Sequence, residues 1–212
     1  MKAVALFSGG KDSFLSMQIA QESGYEVISA VTVLPEEFSL MFHFPNADKS
    51  LLPAKFLGVS VIFCKEENLR ETIESFYAIG ARAIVSGAIA SDYQKTKIEQ
   101  MCTELGMISF TPLWRKNQES VLNELLVRGI KAVIVSVSAE GLTRDDLGKT
   151  IDSQYILHLK NTSLKRKINI AGEGGEYESF VYGVPGRPEI DCGNSEKVWD
   201  GSRGYLLLGH RT

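Results

Sequence analysis

Apolar residues in this chain fall into two alternating patterns. Short, nearly continuous apolar runs occur at Ala3–Phe7, Glu26–Val33, Val59–Phe63, Ala83–Ser86 and Met107–Phe110. Runs of this kind, rich in β-branched residues, suit parallel strands covered on both faces. Between them the apolar residues take helical spacing. Phe14–Ala20 is one such stretch, and Leu69, Ile73, Phe76 and Tyr77 ending at Gly80 are another. A third is Ile98, Met101, Cys102 and Leu105, and a fourth is Val121, Leu122, Leu125 and Leu126, closed by Gly129. Each marks a helix with one buried face and a glycine or turn at its end. Asp48–Leu57 reads as a further short helix, with Pro53 as a late start or a kink. This alternation predicts an α/β fold: a doubly wound, mostly parallel sheet with right-handed crossovers.

From Ile130 the pattern changes. Lys131–Val137 is one more strand, but Gly141 to Gly148 is rich in turns, Ile151–Leu159 reads as a helix, and glycine is dense between Ile168 and Phe180. Short strand-like pieces follow, ending at Tyr205–Leu208. A second, smaller α+β domain is expected, with the division near Gly129, giving domains 1–129 and 130–212.

The first strand runs into Ser8-Gly9-Gly10-Lys11-Asp12-Ser13 and then into a helix. Strand, glycine turn and helix together aim backbone N–H groups and a positive helix end at one spot. Adjacent glycines let the chain close around an anion, Lys11, read as an exposed loop lysine, adds a full charge, and Ser8 and Ser13 add hydroxyls. Asp12 and Ser13 also suit a helix start. The segment is not a Walker A loop, because Asp12 follows the lysine and Ala5 stands where the first glycine belongs, and G-x-G-x-x-G is absent. It resembles the PP-loop of ATP pyrophosphatases, which cleave ATP to AMP and pyrophosphate while adenylylating a substrate. The PP-loop residues Ser8 to Ser13 are therefore expected to bind ATP.

Composition narrows the class. Among 212 residues, 44% are apolar and 23% charged, enough for a sizeable core, and the net charge of −3 exerts no bulk pull toward nucleic acid. Cys64, Cys102 and Cys192 are scattered, which argues against disulfides, a zinc site or a persulfide relay and favours buried small residues. The start of the chain lacks signal-peptide architecture and no apolar run nears the ~20 residues of a membrane span. A cytoplasmic protein without a membrane partner is expected.

In a doubly wound sheet, ligands bind beyond the carboxyl ends of the strands. Thr32 near the end of the second strand, His43 in the apolar-rich segment Leu34–Asn46, and Gly87 with Ala88 after the fourth strand are candidate nucleotide contacts. Gly87 would let backbone approach a ribose or base, although a helix-entry glycine is the plainer alternative. Met41, Phe42, His43 and Phe44 would either fold over adenine or simply pack on the domain. Tyr93 and Gln94 begin the next helix and are candidate substrate contacts, or its amphipathic edge. Trp114 favours burial, and Lys95, Lys97, Arg115 and Lys116 favour solvated faces.

Gly172-Glu173-Gly174-Gly175-Glu176-Tyr177-Glu178 packs three glycines and three carboxylates into seven residues. That makes poor core and poor strand. In an extended chain Glu176 and Glu178 would share a side, where carboxylates bind Mg²⁺, attract a cation or accept a proton. An exposed acidic hairpin is the bland alternative.

Taken in order, S-G-G-K-D-S, M-F-H-F-P-N, S-G-A-I-A-S-D-Y-Q, P-L-W, G-L-T-R-D-D-L-G and I-N-I-A-G-E-G-G-E-Y-E-S resemble the diphthine–ammonia ligase family, in a short archaeal-like form. The resemblance runs from Lys2 to about Phe180, and G-E-G-G-E-Y-E is its most discriminating piece. Lys97 stands where the family often has arginine and Ser179 where threonine is common. The resemblance implies ATP-dependent amidation of diphthine on translation elongation factor 2. The diphthine carboxylate would form an acyl-adenylate with release of pyrophosphate, and ammonia would displace AMP. ATP and Mg²⁺ are the implied cofactors, and diphthine-bearing elongation factor 2 and ammonium the implied partners. Lys11 and Glu176 are the implied catalytic residues, with Glu173, Glu176, Tyr177, Glu178, Tyr93 and Gln94 on the acceptor side. The aromatic residues Tyr177, Phe180 and Tyr182 would face the trimethylammonium group of diphthine. No metal ligand is assigned, and both a monomer and a homo-oligomer stay open. Two alternatives stand beside this reading: a PP-loop ligase acting on another carboxylate or a tRNA base, and an ATP or AMP sensor without turnover.

Overall fold

A computed structural model describes residues 1–34 and 46–209. The chain forms two compact units, Met1–Arg115 and Lys116–Thr212. The division thus falls ahead of the expected Gly129.

The first unit is built on β1 (Lys2–Leu6), α1 (Lys11–Glu22) and β2 (Glu26–Leu34). They are followed by the short helix α2 (Leu51–Ala54), β3 (Val61–Lys65), α3 (Leu69–Ala78), β4 (Ala83–Val85), α4 (Asp92–Leu105) and β5 (Ile108–Phe110). All five strands are parallel, in the order β3-β2-β1-β4-β5. The middle of β1 explains why it is central: Ala3, Val4 and Ala5 are all buried, and their small or β-branched side chains let helices approach both faces. Val4 and Ile84 from the sheet meet Ile73 and Phe76 of α3 and Ile98 and Cys102 of α4 in one apolar cluster. The helical spacing of the sequence thus becomes a packed face. Predicted Asp48–Leu57 breaks into 3-10 turns at Ala47–Lys49 and Lys55–Leu57 around α2. Pro53 is tolerated because it lies in the first turn of α2, where its missing N–H costs no intrahelical bond.

The second unit contains α5 (Gln118–Val127), β6 (Lys131–Val137), α6 (Ser153–Arg166), β7 (Tyr177–Gly183), β8 (Glu196–Trp199) and β9 (Gly204–Leu207). Its sheet is antiparallel, in the order β7-β6-β9-β8. Asn117 caps α5 by accepting the Ser120 N–H at 3.0 Å, and Asp152 caps α6 by accepting that of Tyr155 at 2.8 Å. Among the described residues no helix is long and apolar enough to cross a membrane.

Candidate functional site

The strand order reverses between β1 and β4, so the crevice beyond their carboxyl ends is the expected ligand position of this topology. The Ser8–Ser13 loop leaves β1 at that point and enters α1, whose N-cap Gly10 makes no side-chain capping bond. Glycine at this position has no side chain to cap the helix, the setting in which a helix N-terminus suits an anion. Internal bonds set the loop: the Ser8 N–H reaches Ser13 Oγ at 3.2 Å, that of Gly10 reaches Ser8 Oγ at 3.3 Å, and Ser13 Oγ donates to Gly10 O at 3.0 Å. Gly9 has φ of +80°, and a Cβ there would meet Ser50 Cα at 3.2 Å and Pro53 Cγ at 3.3 Å. Gly9 thus packs closely on the turn that carries Ser50 and Pro53, which fixes the path of the loop.

Lys11 differs from its expected setting. It is not an exposed loop lysine: it is 2% exposed, and its Nζ sits 2.8 Å from Asp12 Oδ2. Burial makes the charge costly and the pairing with Asp12 keeps it in place. Gly87 also has a more specific role than ligand approach. A Cβ on it would lie 2.7 Å from Ser13 N, 2.8 Å from Asp12 C and 3.0 Å from Asp12 O, so the segment after β4 packs directly on the Ser8–Ser13 loop. Ala88 is buried beside it.

Thr32 is buried, and its hydroxyl donates to Phe7 O and meets Ser50 Oγ at 2.7 Å. It ties the exit of β1 to the turn that packs on Gly9. Thr32→Val keeps the shape and removes these bonds. It should lower stability by about 1–2 kcal/mol, measured by urea denaturation; unchanged stability would show the hydroxyl to be dispensable. Tyr93 is 51% exposed at the start of α4, with Lys97 Nζ 5.8 Å from its ring centre. The Gln94 N–H is held by the N-cap Ser91 Oγ at 3.3 Å. Trp114 is half-buried, with Lys95 Nζ 5.1 Å and the Arg115 guanidinium 5.5 Å from its ring, so these cations pack on an aromatic face as well as meeting solvent. His43 lies outside the described residues.

The thiols fit the reading without sulfur chemistry. Burial, with Glu99 adding to it, pushes the Cys102 thiol up to about 11, and burial also raises Cys64 and Cys192. Thiolate is the reactive form. Iodoacetamide at pH 8 should therefore label Cys102 only after unfolding, as read by mass spectrometry; rapid labelling of the native protein would contradict this environment.

In the second unit the acid- and glycine-rich segment is neither an extended strand nor a simple hairpin. The chain turns from Asn169 to Glu176, and β7 begins only at Tyr177. Gly172 (φ +77°) and Gly175 (φ +78°) supply left-handed turns that other residues adopt with strain. The Glu176 carboxylate turns back into the loop, so it does not line up with Glu178 as expected. Its Oε1 accepts the Asn169 N–H at 2.8 Å and Asn169 Nδ2 at 2.7 Å, and its Oε2 accepts the Gly174 N–H at 2.7 Å. Glu173 is half-buried in the loop, and Glu178 lies opposite Ser136 across the β6–β7 pair. The proposed aromatic face is also revised. Tyr177 and Phe180 are core residues at 1% and 2% exposure, Tyr177 donates its hydroxyl to Ile170 O at 2.7 Å, and Tyr182 meets Thr150 Oγ1 at 3.1 Å.

Sequence reasoning gave no separate role to Asp146, Tyr155 and His158. Asp146 is buried, and its Oδ2 accepts the Thr143 N–H at 2.7 Å and the Thr143 hydroxyl at 3.1 Å. Its Oδ1 lies 3.1 Å from both the Tyr155 hydroxyl and His158 Nε2. Burial and this carboxylate hold the Tyr155 phenol well above its ordinary range. The three residues line an open recess of about 270 Å³ together with Thr143, Asp145 and Lys149. The available signal was the spacing of Tyr155 and His158, one turn apart on a helix that follows an acidic turn.

Comparison with known proteins places both units. The model of the diphthamide synthase N-terminal domain matches residues 1–109, and that of the diphthamide synthase C-terminal domain matches residues 117–212. The chain belongs to the diphthamide synthase family. It is 33% identical over 211 residues to diphthine–ammonia ligase of Schizosaccharomyces pombe, covering 87% of this chain and 35% of that one. Against the Homo sapiens diphthine–ammonia ligase it is 31% identical, covering 87% of this chain and 80% of the relative. The chain therefore spans about a third of the fission-yeast protein and most of the human one. Among solved structures, a predicted subunit of tRNA methyltransferase from Methanocaldococcus jannaschii aligns with a TM-score of 0.46 at 19% identity, covering 90% of this chain and 100% of that one.

Proposed function

We propose that the protein is a diphthine–ammonia ligase, converting diphthine on translation elongation factor 2 to diphthamide with ATP and ammonium as co-substrates. The observation that carries this reading is the Ser8–Ser13 loop, open at the N-cap of α1 and backed by the buried Lys11, in a chain of the diphthamide synthase family.

The loop N–H groups and Lys11 hold the pyrophosphate end of ATP. In the first step an oxygen of the diphthine carboxylate forms a bond to the α-phosphorus while the bond to the bridging oxygen of pyrophosphate breaks. Charge grows on the leaving pyrophosphate, and fixed donors stabilise it without having to reorganise. In the second step ammonia forms the C–N bond at the acyl carbon, AMP leaves with the C–O bonding pair, and the extra proton on nitrogen passes to solvent. Among the described residues no group of three or more His, Cys, Asp or Glu is placed to hold a metal ion. Mg²⁺ bound with the nucleotide would supply charge neutralisation on its phosphates beside Lys11.

The experiment is a mixture of protein, ATP, ammonium and diphthine-bearing factor, followed for nucleotide products. AMP and pyrophosphate should appear in step with consumption of the factor, and ADP as the sole product would contradict the reading. A sensor would give no turnover at all. Free ammonium should be sufficient as nitrogen donor. Amide formation by the purified protein from glutamine in an ammonium-free assay would show that donor assignment wrong.

A further inference from the structure

We infer that Glu176 acts as a positioning residue rather than as a ligand of reactants or metal, and that Asn169 and Gln118 form one device with it. The inference rests on the proposed ligase reading only for its activity readout.

Each Glu176 oxygen already accepts N–H groups of its own loop, two at Oε1 and one at Oε2. A carboxylate held by three N–H donors has little left to offer a metal or an acceptor without dismantling the turn. The turn is shaped around this carboxylate. A Cβ on Gly174 would lie 2.8 Å from Oε1 and 3.0 Å from Oε2, so only glycine lets the carboxylate rest against the backbone there. Asn169 is held from its other side, because its Oδ1 accepts Gln118 Nε2 at 3.0 Å, and Gln118 Oε1 accepts the Ala171 N–H at 3.1 Å. Gln118 is the first residue of α5, so the network ties the loop to a packed helix. The hydroxyl of Ser138 donates to Gly175 O and completes the clasp. What the network fixes is the placement of Glu173 within the loop and of Glu178 at the start of β7.

The variants Glu176→Gln, Asn169→Ala, Asn169→Asp and Gln118→Ala separate the roles. In Glu176→Gln an NH₂ group must face one of the donors, and in Asn169→Asp a second carboxylate faces Glu176. Hydrogen exchange of the Gly174 amide on the free protein is the first readout. It should speed up in Glu176→Gln, and also in Asn169→Ala, where its own acceptor is untouched. AMP formation with the factor should fall about 10- to 100-fold in Glu176→Gln and comparably in Asn169→Ala, and further in Asn169→Asp. Gln118→Ala should give a smaller loss in the same direction, with KM for ATP unchanged throughout. Wild-type activity in Asn169→Ala and Gln118→Ala beside an inactive Glu176→Gln would overturn the inference, as would unchanged Gly174 exchange in Glu176→Gln. If the wild-type protein makes no AMP with the factor, the ligase reading fails, while the exchange measurement still decides whether Glu176 holds the loop.

Discussion

Gly87→Ala should weaken ATP binding severely while leaving most of the fold intact. The added methyl has nowhere to go: its nearest neighbours are backbone atoms of Asp12 and Ser13, at 2.7 to 3.0 Å, and backbone cannot swing aside as a flexible side chain can. Relief requires moving either the segment after β4 or the first turn of α1, and the Ser8–Ser13 loop proposed to hold phosphate is part of that turn. Overpacking of this kind typically costs about 1–3 kcal/mol. The displaced N–H groups add to the loss, so ATP affinity should fall by about 100-fold or more. Calorimetric titration with ATP checks this, with circular dichroism to show that the helices persist. Affinity within a factor of about two of wild type would mean that the two segments are not in contact as described.

Lys11→Met should have the second-largest effect, on both chemistry and stability. Removing a fixed donor to charge that develops on a leaving group typically costs about 10²–10³ in rate. AMP formation should fall by that factor. The methionine keeps the apolar stem but takes away the ammonium that lies 2.8 Å from Asp12 Oδ2. Asp12 keeps a quarter of its side chain exposed, and solvent screening moderates the cost, so a loss of about 1–2 kcal/mol is expected. Single-turnover kinetics and urea denaturation measure the two effects separately. Wild-type AMP formation in Lys11→Met would remove Lys11 from the chemistry, whatever the stability result.

The parallel sheet was legible because its signals are local. Runs such as Ala83–Val85 and helical spacing such as Ile73 and Phe76 carry their own periodicity, and the Ser8–Ser13 loop is contiguous. Strand ends were less so. Val59–Phe63 was expected and Val61–Lys65 found, because register against β2, from Ala30↔Val61 to Leu34↔Lys65, is set by the neighbouring strand. The division between units moved for a similar reason. The sequence of α5 looks like one more crossover helix, yet Gln118 at its start bonds to Asn169 and Ala171, which no local pattern announces. The roles of Gly87 and Glu176 were hidden in the same way. Composition marks both as unusual, but the 2.7 Å approach to Ser13 N and the return of a carboxylate onto Asn169 exist only once the chain has folded. Burial of Lys11 was missed because a lysine in a glycine loop reads as solvated, and its side chain turns inward to pair with its own neighbour.

The central claim, that this chain forms an amide on a protein-bound carboxylate, is tested most directly by isotope. The protein is incubated with ATP, ¹⁵N-ammonium and diphthine-bearing elongation factor 2, and the modified histidine peptide of the factor is analysed by mass spectrometry. The account predicts replacement of one hydroxyl by a ¹⁵N-labelled amide at that residue, in proportion to AMP formed. AMP accumulating with the peptide unlabelled and its carboxylate intact would contradict it.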